Sequence, residues 1–225
     1  MPMVRDTLRR TSLRDQALAV LRKALVVGEL APGVVYSAAS LAKDFGVSTS
    51  PVREAMLALV DEGLLETVPN RGFRVVAISE RDLAEIFELR MMLEVQGVGR
   101  AAEVGLGERL ERLQLLVDVI EKTAREGDVV ANLQADRDFH IALMEATGNR
   151  RLAGTVARLR DQTRLYNLHT LAADGRLNDS AAEHRPLLEA VARGDREQAE
   201  ELMRRHLAHV PGDWSTDALP ASDIA

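Results

Sequence analysis

Five glycine-containing breaks divide the chain between residues 79 and 210 into six segments of helical length. Within the segments, apolar residues recur at spacings of three and four, and no alternating strand pattern interrupts them. The breaks are Gly105-Leu106-Gly107, Gly127-Asp128, Gly148-Asn149, Asp174-Gly175 and Gly194-Asp195. The predicted helices cover residues 80–104, 108–126, 129–146, 150–173, 180–193 and 195–209. Such segments bury their apolar faces by packing on one another, which predicts an antiparallel six-helix bundle.

The first 78 residues follow a different plan. Helical patterns beginning at Leu13 and Ser40 precede a third helix, whose start at about residues 49–51 is indicated by Pro51, because proline is tolerated in a first turn. Ser48 or Ser50 is expected to cap that helix. Two β-prone runs, residues 65–68 and 73–76, then flank a turn and predict a hairpin.

The order of three helices and a hairpin predicts a winged helix-turn-helix. The chain is therefore expected to be mostly α, with a DNA-binding domain at residues 1–78 and a helical domain at residues 79–210. Residues 211–225 are rich in Pro, Gly, Ser and Asp and are expected to form a poorly ordered tail.

Charge is divided unevenly between the two predicted domains. The whole chain carries a net charge of -6, but residues 1–78 have ten Lys+Arg and eight Asp+Glu, a net of +2. The first domain is thus the one compatible with a polyanion. The absence of cysteine excludes disulfides and thiolate ligands. No apolar run approaches the roughly 20 residues of a membrane span, so we expect a cytoplasmic protein without a membrane partner.

The N-terminal end of the third helix is a candidate DNA contact. Ser48, Thr49, Ser50 and Arg53 lie there, off the apolar stripe of the helix. In helix-turn-helix proteins this end reaches base edges, and its free N–H groups suit a phosphate oxygen. The alternative is that the serines only cap the helix and that Arg53 pairs with an acidic neighbour in solvent.

Three histidines and one aspartate are predicted to face the interior of the helical bundle. Asp136 and His140 are four residues apart on one helix face, and His184 and His206 fall on the apolar faces of two other helices. Each histidine alone could be a core residue with one hydrogen bond. Together with a carboxylate, they suit a divalent ion such as Zn, Ni, Mn or Fe, and a six-coordinate ion would keep two positions for water or a ligand.

The stretch "FGVSTSPVREAMLALVDEGLLETVPNRGFRV" resembles the DNA-binding domain of GntR-type bacterial transcription regulators, over about 65 residues. The resemblance implies that the start of the third helix and the wing tip contact a double-stranded operator. By position, the resemblance implies that the operator contacts are Ser48, Thr49, Ser50 and Arg53, together with Arg71 and Gly72. Thr49 and Ala38-Ala39 depart from the family's usual residues, and base recognition by an arginine at position 49 is absent.

The stretch "ADRDFHIALMEATGN" and the region around His184 and His206 resemble the FCD effector domain of the FadR-like branch. Six helices are similar to its VanR-type subset. The resemblance implies a homodimer with a divalent metal on Asp136, His140, His184 and His206, and a small carboxylate effector. Arg90, four residues before Glu94, is implied to bind that effector, although a surface pair with Glu94 is equally compatible with the spacing.

These observations predict a transcription regulator, expected to be a repressor. Binding of the effector would change its affinity for the operator. Two alternatives remain at this stage. One is a metal-dependent hydrolase, in which the open metal site activates water. The other is a regulator whose metal only holds the helices together. The quartet has no obvious general base, so we expect no enzymatic activity.

Overall fold

The computed structural model describes residues 12–173 and 177–212. The chain divides into two compact units, Met1–Ala77 and Ile78–Ala225. Of the tail that the sequence predicts, residues 213–225 lie outside the described residues, whereas Pro211 and Gly212 belong to the last helix. None of the described helices is long and apolar enough to cross a membrane.

Three helices form most of the part of the first unit that the structure describes. They are α1 Leu13–Val26, α2 Ala38–Phe45 and α3 Thr49–Asp61. Ser12 and Ser37 cap the first two helices by accepting a hydrogen bond from the backbone N–H three residues further on. Helix α3 packs against both α1 and α2, and its apolar stripe of Val52, Met56 and Leu59 is fully buried.

A three-stranded antiparallel sheet completes this unit. Its strands are β1 Val35–Tyr36, β2 Leu65–Val68 and β3 Gly72–Val75, in the order β1-β3-β2. The hairpin β2–β3 forms as predicted, whereas β1, which is only two residues long, was not predicted. Gly72 of β3 allows close approach to β1. Its φ is +130°, and a Cβ atom there would lie 2.3 Å from the carbonyl oxygen of Tyr36.

Among the described residues of the second unit, six helices form a bundle, as predicted. They are α4 Glu80–Val104, α5 Arg109–Glu126, α6 Val129–Ala146, α7 Arg150–Ala173, α8 Leu177–Ala192 and α9 Arg196–Gly212. Helix α4 packs against α6, α7, α8 and α9, and α5 packs against α6 and α8. Phe139, Leu143, Leu113 and Met203 are among the fully buried side chains between them. The bundle therefore surrounds the inner face of α6, which carries Asp136 and His140.

The start of α8 differs from the sequence prediction. Ser180 and Glu183 resemble a capping box, but α8 begins at Leu177 and both residues lie inside it. Pro186 is accommodated within this helix. As a result, Glu183 lies within α8, directly before His184, and does not cap the start of the helix.

Candidate functional site

The N-terminal end of α3 is exposed to solvent. Ser48 occupies the N-cap position, but its side chain accepts no hydrogen bond from the helix, so the predicted side-chain cap is wrong. Ser50 instead donates to the carboxylate of Glu54, at 3.1 Å. Thr49 and Arg53 are also exposed. The hydroxyls and N–H groups of this end are thus presented together with a guanidinium group.

The wing places a further arginine in solvent. Arg71 is exposed at the turn between β2 and β3, next to Asn70, whose φ is +59°. Arg74 lies within β3 and is paired across the hairpin with Glu66, at 2.9 Å. Gly72 has a packing role against β1, as described above, whatever else the wing tip contacts. Arg71 and the start of α3 lie in the same unit and are the candidate nucleic-acid contacts.

In the second unit, three helices bring together the four residues that the sequence singled out. Helix α6 supplies Asp136 and His140, α8 supplies His184 and α9 supplies His206. One potential ligand atom from each lies within 4.8 Å of all the others. The histidines are buried, with exposed fractions of 0%, 1% and 7% in chain order, and Asp136 is partly buried.

Contacts at the far side of each imidazole determine which nitrogen has a free lone pair. Nδ1 of His184 lies 3.1 Å from the carbonyl oxygen of Ser180, and Nδ1 of His206 lies 2.9 Å from the carboxylate of Glu183. Both partners accept hydrogen bonds, which favours a proton on each Nδ1 atom. In that tautomer His184 and His206 present the lone pairs of their Nε2 atoms to the centre of the cluster.

His140 follows the same pattern. Its Nδ1 lies 3.1 Å from a carboxylate oxygen of Glu94, an ion-pair distance at which the alignment falls short of a hydrogen bond. The negative carboxylate still favours a proton on Nδ1 over a lone pair. Nε2 of His140 then faces Nε2 of His206 at 3.1 Å, while Nε2 of His184 faces Oδ1 of Asp136 at 3.0 Å. Four electron-pair donors converge, which is the arrangement a cation requires.

The second carboxylate oxygen of Asp136, Oδ2, also has a hydrogen-bond partner. Oδ2 accepts a hydrogen bond from Nη1 of Arg160 on α7, at 2.9 Å, leaving Oδ1 facing the histidines. The neighbouring residues make the reciprocal pair, in which Arg137 of α6 binds Asp161 of α7 through two hydrogen bonds. Two crossed ion pairs thus fix the register of α6 against α7 at the cluster.

Glu94 of α4 joins the cluster to two arginines. It accepts from Nε of Arg90 at 2.8 Å and from Nη2 of Arg160 at 2.5 Å, and its side chain is 0% exposed. The pair of Arg90 with Glu94 that the sequence allowed does form, but it is buried rather than on the surface. The positive charges of the two guanidinium groups offset the cost of burying this carboxylate.

Electrostatics keep these groups in the states that the geometry requires. Burial is the largest single influence on Glu94 and Asp136 and would raise the pKa of both. The opposing charges and hydrogen bonds, with Arg160 the strongest of them at each carboxyl, together outweigh burial and hold both pKa values well below the usual range. Burial, followed by Arg160, lowers the pKa of His140 far below its ordinary value. Burial also lowers the pKa of His206, although Glu183 opposes the shift. Near neutral pH the carboxylates are therefore charged and both histidines neutral.

Sequence reasoning missed three residues of this site: Glu94 as a partner of His140, Arg160 and Glu183. Arg160 and Glu94 are 66 residues apart, so no local spacing relates them. One signal was present, since the Asp-Arg order at 136–137 is mirrored by Arg-Asp at 160–161. Glu183 also directly precedes a candidate ligand.

A winged helix-turn-helix unit together with a helical bundle of this kind defines a DNA-binding transcription regulator. Residues 13–75 match the bacterial regulatory proteins of the gntR family, and residues 85–209 match the FCD domain. The chain therefore belongs to the GntR family of regulators with a C-terminal FCD domain. These families contain transcription regulators, so the hydrolase alternative is set aside.

Individual relatives are similar over most of their length. The chain is 29% identical to the uncharacterized HTH-type transcriptional regulator YdhC of Bacillus subtilis, over 84% of this chain and 85% of that protein. It is 30% identical to a probable D-xylose utilization operon transcriptional repressor of Paenarthrobacter nicotinovorans, over 89% and 88%. The solved structure of E. coli McbR/YncC has a TM-score of 0.73 at 27% identity, covering 92% of this chain and 100% of that one.

Proposed function

We propose that this regulator binds a divalent metal ion through Oδ1 of Asp136 and Nε2 of His140, His184 and His206. The convergence of these four electron-pair donors, with each Nδ1 directed to an acceptor, is the observation that supports the proposal most strongly. Three imidazoles and one carboxylate suit Zn, Ni, Mn or Fe better than Mg or Ca, which prefer oxygen. When bound, the ion would supply positive charge and a point of attachment for an anionic ligand.

The charge balance around the site favours a small organic acid as effector. Arg90 and Arg160 offset the carboxylates of Glu94 and Asp136, to which they are bound. A divalent ion would add two positive charges to these four groups. A carboxylate ligand would neutralise this excess, whereas a neutral ligand would leave it buried.

Arg90 is the proposed contact for the effector's carboxylate. Within the described part of the chain its recorded acceptor is Glu94, bound through Nε. The effector's carboxylate would be bound through the two terminal nitrogens of Arg90 in a bidentate interaction. Glu94 would meanwhile hold the guanidinium plane in position.

The first unit is proposed to bind an operator through Ser48, Thr49, Ser50 and Arg53 at the start of α3, and through Arg71 and Gly72 at the wing tip. Two chains acting as a homodimer would contact the two halves of a pseudo-palindrome. Repression relieved by the effector is the proposed mode of regulation, supported by the repressor name of the Paenarthrobacter relative. Differential affinity of the effector for two arrangements of the DNA-binding units would supply the coupling.

Calorimetry combined with an operator-binding assay tests this function. Metal-loaded protein and protein treated with EDTA would be titrated with a panel of di- and tricarboxylates, and each acid that binds would be added to a protein–operator complex. We expect heat only from metal-loaded protein and release of DNA by the acid that binds. Bound metal without heat from any acid would favour a purely structural metal, and protection of no palindrome near the gene would contradict the operator claim.

A further inference from the structure

Glu183 contacts a candidate metal ligand without being one itself. Its Oε2 lies 2.9 Å from Nδ1 of His206, and its side chain is 17% exposed. The two residues are on different helices, α8 and α9, so the contact depends on their packing rather than on local geometry. A carboxylate accepts but does not donate, and the proton of neutral His206 is therefore held on Nδ1.

The position of this proton matters because of what faces the opposite nitrogen. Nε2 of His206 lies 3.1 Å from Nε2 of His140, which is a hydrogen-bonding distance. If His206 were protonated on Nε2, this N–H would donate a hydrogen bond to Nε2 of His140. Neither Nε2 atom would then have a free lone pair for a metal ion. The two rings are nearly parallel, with an interplanar angle of 19° and centroids 5.0 Å apart, so they are already placed for such a contact.

We propose that Glu183 is a positioning residue of the metal centre, which prevents a hydrogen bond between His140 and His206 that would block both ligands. This inference rests on the proposed metal site. Glu183 selects the tautomer of His206 that leaves Nε2 bare, and its charge makes the imidazole a stronger electron-pair donor.

The surrounding contacts favour Glu183 over the other acceptors as the residue with this separate role. Glu94, beside His140, also compensates two buried arginines, so its removal would disturb the bundle itself. His184 is held by the main-chain carbonyls of Ser180 and Ala181, which no substitution removes. Glu183 is nearer to solvent than Glu94, with 17% of its side chain exposed against 0%.

Nuclear magnetic resonance tests the tautomer without any metal. Full-length protein labelled with ¹⁵N histidine, treated with EDTA and held at about pH 8, where histidine is ordinarily neutral, would be examined by long-range ¹H–¹⁵N correlation, with a His206→Gln variant for assignment. We expect His206 to be protonated on Nδ1 in the wild type and on Nε2 in Glu183→Ala. Glu183→Gln should retain part of the wild-type population, because its amide oxygen can still accept.

A competition titration of Ni²⁺ against a chromophoric chelator tests the consequence. We expect Glu183→Ala to weaken Ni²⁺ binding by about 10- to 100-fold, Glu183→Gln to weaken it less, and the exposed α8 control Glu189→Ala to match the wild type. Circular dichroism verifies that the variants are folded. An Nε2-protonated His206 in the wild type, or unchanged Ni²⁺ affinity in Glu183→Ala, would overturn the proposal. If the wild type bound no Ni²⁺, the metal function would fail, whereas the tautomer measurement would still decide whether Glu183 controls His206.

Discussion

The Nε2 atoms of His140 and His206 lie 3.1 Å apart, although the residues are 66 positions apart in the chain. In each ring the other nitrogen is directed at a carboxylate, Glu94 for His140 and Glu183 for His206. Two bare nitrogens facing each other at this distance are mutually unfavourable unless a cation or a proton lies between them. The bundle therefore assembles ligands in a state that a metal ion would stabilise.

Two arginine–glutamate pairs on α4 have the same spacing but opposite environments. Arg90–Glu94 has side chains 4% and 0% exposed, and Arg81–Glu85 has side chains 87% and 58% exposed. Glu94→Gln leaves Arg90 and Arg160 without their shared counter-charge, and we expect it to lower the free energy of unfolding by about 3–5 kcal/mol. Glu85→Gln should change it by less than about 0.5 kcal/mol. Urea denaturation of both variants measures the difference, and equal effects would contradict the assigned role of Glu94.

Stability of the metal-free protein should fall as the pH is lowered. The pKa values of His140 and His206 are lowered in the folded state. Below about pH 6.5, the ordinary pKa of histidine, these residues therefore bind protons in the unfolded chain but not in the folded chain. The stability that these residues contribute is complete above that pH and is lost on acidification. Asp136 and Glu94 also have lowered pKa values, which adds a second decline below about pH 4.

Thermal unfolding in EDTA between about pH 7.5 and 5.5 measures the first decline, with the histidine pKa near the middle of this range. His206→Gln should unfold with a smaller dependence on pH, because one of the two depressed histidines has been removed. A melting temperature that rises on acidification over this range would contradict the assignment of neutral, buried histidines.

Arg53 is the DNA contact that is easiest to test. Its side chain is exposed near the start of α3, so replacing it should leave the fold intact. We expect Arg53→Ala to weaken operator binding and, if the contact is to a phosphate, to reduce the salt dependence of log K by about one unit. Arg14, which pairs with Asp15 on α1, provides an arginine control from the same unit. Unchanged operator affinity at every salt concentration would show that Arg53 does not contact the operator.

Gly72 should be sensitive to substitution for a steric reason. An alanine Cβ would lie 2.3 Å from the backbone oxygen of Tyr36, in addition to the unfavourable φ of +130°. Gly33 also has a positive φ, +79°, but nothing lies within 4 Å of its Cβ position. We expect Gly33→Ala to cost about 1–2 kcal/mol from the backbone alone, and Gly72→Ala to cost more. Chemical denaturation monitored for the first unit would compare them, and equal costs would contradict a clash at Gly72.

The sequence predicted most of the helices because their signals are local. Gly46, Gly127 and Gly194 follow helices in left-handed conformations, and Ser79 with Asp82 forms a true capping box at the start of α4. The inner positions of the three histidines likewise follow from helical periodicity. These features depend on residues within a few positions of one another, which one sequence displays directly.

What the sequence could not predict depends on contacts between distant segments. Strand β1 exists because Val35 and Tyr36 pair with Arg74 and Phe73, and two residues alone provide no strand pattern. Glu183 looked like part of a capping box until packing placed it against His206, 23 positions later. The same limit applies to Arg160, whose partners are on α4 and α6. Local patterns thus identified the candidate ligands, but only tertiary structure identified the groups that contact them.

Metal content per chain is the most direct test of the central claim. Elemental analysis by mass spectrometry would be applied to protein purified without chelators, alongside an Asp136→Ala/His140→Ala variant whose helical content matches by circular dichroism. A single three-histidine, one-carboxylate site predicts about one transition-metal ion per chain in the wild type and almost none in the variant. An equal metal content in both proteins, or a wild type that remains metal-free after incubation with Zn²⁺, Ni²⁺, Mn²⁺ and Fe²⁺, would contradict it.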